Sequence, residues 1–147
     1  MNNNDFSISS IGLFRRLGAI CYDLLLLLAL MLVATSLITL PLGMPEGGML
    51  LAFQGFLFEL IPLIFFTGFW HRGGQTLGMR AWRVKVVRAD GAPLSWGDAL
   101  KRHLAALLSC LPLGMGFLWI AIDPEGLAWH DRLSGTRLIL TDNTTSS

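Results

Sequence analysis

Charge is scarce in this sequence. Only 14% of its 147 residues are Asp, Glu, Lys or Arg, against 53% apolar. A soluble domain of this length carries about a quarter charged residues, so an ordinary water-facing surface is excluded. Cysteine is nearly absent as well. Cys21 and Cys110 both fall inside apolar runs, which offer no oxidising, accessible setting for a disulfide, and each reads as small apolar packing. The sequence contains no CxxC, no HExxH and no Cys/His cluster, so no structural zinc and no other metal or cofactor is expected. His130 and Asp131 are adjacent, but no GxSxG turn supplies a nucleophile. Gly74-x-x-x-Gly78 lacks the Gly-Lys-Ser/Thr ending of a phosphate loop. These absences predict a protein that is not an enzyme.

What the chain has in abundance is long apolar runs, at 17–40, 49–70 and 104–122. About 20 apolar residues cross a bilayer as a helix. The pattern predicts one small all-α membrane domain of about three hydrophobic helical segments over 15–140. A polar N-terminal tail at 1–14 precedes it and a disordered tail at 141–147 follows. The first run is too long for the roughly 7–15-residue apolar core of a signal peptide, and no A-x-A site closes it, so it reads as a retained span ending at Pro41. In the tail before it, Phe14 reads as an interfacial residue. The link PLGMPEGG after it holds no Lys or Arg, whereas 71–102 holds Arg72, Arg80, Arg83, Lys85, Arg88, Lys101 and Arg102. Under the positive-inside rule the N-terminus and this basic loop face the cytoplasm, which suggests a bacterial inner membrane.

The basic loop carries local structure. Trp82-Arg83-Val84-Lys85-Val86 alternates apolar and basic, a strand signal. Ser95 followed at the third position by Asp98 reads as a helix N-cap, opening a helix from Trp96. The third apolar run is broken at Pro112-Leu113-Gly114-Met115-Gly116. It is either a kinked span with the tail outside, or a broken segment with the tail returning inside. Arg137 to Leu140 is a second strand-like run. Two such strands pair only on the same side of the membrane, which favours the returning tail.

The first run carries two charges, Arg16 and Asp23. Their i, i+7 spacing puts both on one helix face, about 10.5 Å apart along the axis. A carboxylate at the centre of a span is disfavoured by about 2.5–3.5 kcal/mol. Burial favours its protonated form and a nearby arginine its ionised form, so Asp23 is the candidate titrating group and Arg16 its tuner. Glu59 lies near the middle of the second span, close to Pro62 and Gln54, as a second carboxylate facing Asp23. Asp23, Glu59, Gln54 and neighbouring oxygens would suit a hard monovalent cation. The bland alternative for each is an ion pair or hydrogen bond that holds helices together. Asp131 is expected to clamp the tail to an arginine of the basic loop, Arg80 or Arg102, or else to contact a ligand. Arg72, Arg80, Arg83, Lys85, Arg88 and Lys101 are expected at lipid headgroups. That leaves no charge for nucleic acid.

Several of these residues form an ordered pattern. Arg16-x-x-Ala19-x-x-x-Asp23 is followed by Gly74-Gln75-Thr76-Leu77-Gly78, then by Arg83-Val84-Lys85-Val86-Val87-Arg88-Ala89-Asp90-Gly91. Arg102 enters the third run, and His130-Asp131-Arg132-Leu133-Ser134-Gly135-Thr136 closes the pattern. This resembles the RDD family of small prokaryotic membrane proteins, whose one arginine and two aspartates fall on Arg16, Asp23 and Asp131. The resemblance implies a transport-related role, with ion exchange one form of it. It does not extend to Glu59 or Asp123. The expected function is a transporter or cation/proton exchanger. It would act as a homo-oligomer in contact with membrane lipids, on a monovalent cation or small solute, since three apolar segments cannot enclose a path alone. The alternative is a non-transporting scaffold or assembly factor that binds lipid or a partner protein through its basic loop.

Overall fold

In a computed structural model of the chain, residues 11–141 are described. The tails assigned from sequence to 1–14 and 141–147 lie outside that range except at 11–14 and 141.

Two long helices dominate: α1 (Leu13–Leu42) and α2 (Gly48–Gly73). Both are long and apolar enough to cross a membrane. Their exposed leucines and phenylalanines, among them Leu25, Leu37, Phe56 and Phe58, suit hydrocarbon rather than water. Helix α1 starts four residues before the apolar run, so Phe14, assigned from sequence to the tail, lies in its first turn. It also continues past Pro41, which sits inside its last turn. Helix α2 runs unbroken through Pro62 and ends on Gly74 in the left-handed conformation (φ 68°). Trp70, in its last turn, is buried at 7% exposure.

Past Gly74 the chain makes a short helix, α3 (Leu77–Ala81), then the strand β1 (Val84–Arg88). Trp82 and Arg83 form the turn between them, so the strand begins two residues later than its alternation suggests. Arg83 sits at φ 56°, a position after a helix where glycine is usual; a side chain there costs about 1–2 kcal/mol. The Trp82 ring covers Gly18 of α1 so closely that any Cβ at Gly18 would collide with it.

Helix α4 (Trp96–Cys110) opens with the expected cap. Ser95 Oγ accepts from Asp98 N–H, and the Asp98 carboxylate accepts from Ser95 N–H at 3.0 Å. The third apolar run is broken: α4 meets α5 (Met115–Leu118) and the 3-10 turn Trp119–Ala121 at 105°. Gly114, in the left-handed region at φ 78°, makes the corner. Gly116 lets α5 press on α4, since a Cβ there would fall 2.6 Å from that of Ser109. The chain then returns through α6 (Trp129–Ser134) to β2 (Thr136–Leu140).

Strands β1 and β2 pair antiparallel, with Val84 opposite Leu140, Val86 opposite Leu138 and Arg88 opposite Thr136. Pairing puts the tail beside the basic loop, so of the two readings of the broken segment the returning one matches the fold. Val84 and Val86 point into a small core with Ile11, Ala19, Trp70, Met79, Leu94 and Ala99. This core sits at one end of α1 and α2, leaving the rest of both helices largely uncovered.

Cysteines introduced at Lys85 and at Ile139, opposite each other in the sheet, should react with a membrane-impermeant maleimide from the same side of sealed vesicles. The background would be Cys21→Ala/Cys110→Ala. Labelling from opposite sides would exclude the strand pair.

Candidate functional site

Arg16 and Asp23 of α1 share one face. Arg16, Ala19, Asp23 and Leu27 are its buried positions, spaced three, four and four apart as a single helical stripe demands. That face meets two different partners. Asp23 meets α3: Thr76 Oγ1 donates to its Oδ2, and Gly78 N–H donates to its Oδ1 at 2.8 Å. Thr76 Oγ1 also accepts from Met79 N–H, capping α3. Gly78 has no room for a side chain, because a Cβ would run into the Ala19 carbonyl and stand 2.9 Å from the Asp23 carboxyl carbon. Asp23 is 4% exposed, and each of its oxygens already holds a donor.

Arg16 does not pair with Asp23. It turns the other way, to Asp131 on α6: its Nη1 donates to Asp131 Oδ2 at 2.9 Å and its Nη2 to the Gly126 carbonyl at 2.8 Å. On the far side Arg102 of α4 donates from Nη1 to Asp131 Oδ1 at 2.7 Å, and to Thr136 Oγ1. Asp131 stands third in α6, so its Oδ2 also reaches back to accept from Ala128 N–H at 3.0 Å. One carboxylate, fully buried, thus joins α1, α4 and α6. Two guanidiniums on one carboxylate leave an excess positive charge. The face of the Trp70 ring, 5.1 Å from the Arg102 guanidinium carbon, offsets part of it.

Of the two arginines expected for Asp131, the structure uses Arg102. Arg80 is exposed on α3 and engages no carboxylate among the described residues. Burial pushes the Asp131 carboxyl up, but Arg102 and Arg16 outweigh it and hold the group well below the ordinary carboxylate range. His130, its ring tilted against Phe117 at 4.6 Å between ring centres, is pushed down to about 3 by burial first and by Arg102 second. It is therefore neutral at physiological pH.

Glu59 is not brought to Asp23. Its Oε1 lies 3.1 Å from His103 Nε2 of α4, with Glu59 51% exposed and His103 only 4%. Beside it a shallow groove of about 350 Å³ is lined by Leu51, Gln54, Gly55, Phe58 and Glu59. These recur at helical spacing along one open face of α2. Among the described residues no cluster of three or more His, Cys, Asp or Glu could hold a metal ion. The expected headgroup residues Arg72, Arg80, Arg83, Arg88 and Lys101 are exposed and Lys85 is half-buried. Among the described residues Arg88 alone of these meets carboxylates, Asp90 at 3.6 Å and Asp98 at 3.9 Å.

Sequence reasoning missed His103 as the partner of Glu59, and Trp70 as the ring under Arg102. Neither has a local signal, because both depend on how α4 lies across α2. Thr76, Gly78 and Thr136 were in view as landmarks of the pattern, without their partners.

Two expectations follow from the buried network. Asp131→Asn should destabilise the protein by about 3–5 kcal/mol, the usual result of removing one side of a buried ion pair; guanidinium-chloride or thermal unfolding in detergent measures it. His130 gives a pH signature. Its folded value, about 3, lies below its ordinary 6.5, so between those values the unfolded chain binds a proton that the folded chain does not. Stability should fall as pH drops through that window, and His130→Gln should flatten the fall between pH 6.5 and 4.

No curated protein and no solved structure matches the chain. A scan against protein families matches residues 11–135 to the RDD family. That stretch contains Arg16, Asp23, Arg102 and Asp131, the α3 loop that receives Asp23, and the broken segment that returns Asp131 to α1. The chain belongs to the RDD family of membrane proteins.

Proposed function

We propose that the protein is a small transporter of the bacterial inner membrane that exchanges protons for a monovalent cation or small solute and works as a homo-oligomer. The observation that carries this reading is the contact between Glu59 Oε1 and His103 Nε2 at 3.1 Å, with the carboxylate half open to a groove and the imidazole buried behind it. Ionisable residues within a span are costly and point to ion or proton pathways.

The chemistry needs one carboxylate with two competing ligands. Protonated, Glu59 donates a hydrogen bond to a neutral His103 nitrogen. Ionised, it accepts one from His103 N–H, or offers its oxygens with the Gln54 carbonyl to a hard cation. Cation and proton then exclude each other at the same oxygens, which couples their movement. In this proposal Glu59 takes the proton role read from sequence for Asp23, because both Asp23 oxygens are engaged by Thr76 and Gly78. Asp23 acts as the anchor of α3. A half-exposed carboxylate on an outward helix face needs cover in hydrocarbon, and a second copy would supply it.

A specific observation favours a second reading, a non-transporting scaffold. Arg16, Asp23 and Asp131 spend their hydrogen bonds inside the fold, while the exposed arginines beyond them are left for lipid or a partner protein.

Vesicles carrying the purified protein, with a pH-sensitive dye inside and a sodium or potassium gradient imposed, separate the two. The wild type should dissipate the pH difference on cation addition, and Glu59→Gln should slow this at least about tenfold, the scale of losing a positioned proton-transfer group. His103→Gln should slow it too. Wild-type rates in Glu59→Gln would remove the pair from the mechanism. A wild type that moves no ion yet co-purifies with one specific partner would favour the scaffold.

A further inference from the structure

We infer that the corner where α3 turns into β1 is a binding site for the phosphate of an anionic membrane lipid, built by Arg15, Arg80 and Arg83 around Trp82. The inference is independent of the exchange reading.

Three arginines from two parts of the chain belong to that corner, Arg80 and Arg83 through its backbone and Arg15 through its side chain. Arg15, in the first turn of α1, donates from Nη1 to the Trp82 carbonyl at 3.4 Å, which brings its guanidinium to the peptide that joins Trp82 to Arg83. Arg83 N–H donates back to the Arg80 carbonyl at 3.1 Å, closing the turn. All three arginines are exposed. Among the described residues no carboxylate lies within ion-pair distance of any of them. Elsewhere on the same end of the molecule, Arg88 and Arg132 find acidic partners, whereas the three arginines of this corner have none among the described residues.

The backbone points the same way. Arg83 holds φ 56°, in a place where glycine would remove the strain, yet the residue present carries a long cationic side chain. Trp82 is 39% exposed, and tryptophan collects at the membrane–water boundary. The apolar lengths of α1 and α2 begin immediately beyond. A phosphodiester with two acyl chains has the matching form: negative charge level with the arginines and hydrocarbon along Leu17 and Leu24. Guanidiniums suit phosphate oxygens through paired N–H donors.

Native mass spectrometry of the purified full chain, offered phosphatidylglycerol or phosphatidylcholine, reads the site directly. Wild type should retain phosphatidylglycerol in clear preference, and each arginine removed should weaken retention about fivefold. Arg83→Gly is the decisive variant. It relieves the left-handed strain, so its melting temperature should hold or rise while the preference falls. Arg83→Lys should keep most of the preference. Arg15→Gln and Arg80→Gln give the same reading if Arg83→Gly does not fold. Equal retention of both lipids by wild type, or undiminished preference in all three neutral variants, would overturn the proposal. So would displacement of phosphatidylglycerol by equimolar inorganic phosphate, which would make the corner a site for the free ion.

Discussion

The buried Asp131 carboxylate is what the rest of this fold is fastened to. It arrives late in the chain and yet holds the first helix, through Arg16, and the amphipathic fourth, through Arg102. Neither arginine could stay in that interior without it, and the carboxylate could not stay ionised without them. The connection also closes the topology. The broken segment after α4 must turn back for α6 to reach α1, and once it has, β2 lies against β1. A single buried charge cluster thus sets the course of the last third of the chain.

A second, separate anchor works on the other side of α1. Asp23 sits seven residues on from Arg16, on the same stripe, but takes a hydroxyl and a backbone N–H in place of a guanidinium. Two hydrogen bonds satisfy its oxygens without a second buried ion. The glycine at position 78 makes this possible by letting the α3 backbone come into contact with α1. Arg16 and Asp23 therefore divide one helix face between two loops that are remote in sequence. The polar groups of that face are used to assemble the cap of the protein, whereas Glu59 of α2 stays half exposed beside the buried His103.

The positions and types of the large elements were legible from the sequence. Long apolar runs, a Pro/Gly link without basic residues, a Ser95–Asp98 cap and two short strand-like stretches each have a local physical cause, and each is found close to where that cause puts it. The errors were at boundaries. Trp82 and Arg83 alternate as a strand does, but the Trp82 ring is taken by Gly18, and the strand starts only after the turn. Pro41 did not stop α1 at once: it lacks the donor for the Leu37 carbonyl one turn back, and the helix ends one residue later, at Leu42.

By itself the sequence determined that this chain is apolar beyond what water tolerates, that Arg16 and Asp23 share one face, and that Asp131 needs a cation. Those conclusions rest on composition and helical period, which are local. Which arginine meets which aspartate was decided only in three dimensions. The partners of Asp23, Glu59 and Asp131 lie 55, 44 and 115 residues away at the farthest contact each makes. Pairing at such separations is fixed by how helices cross, by the room a glycine leaves and by the competition of several donors for one carboxylate. None of these is written in the spacing of neighbouring residues.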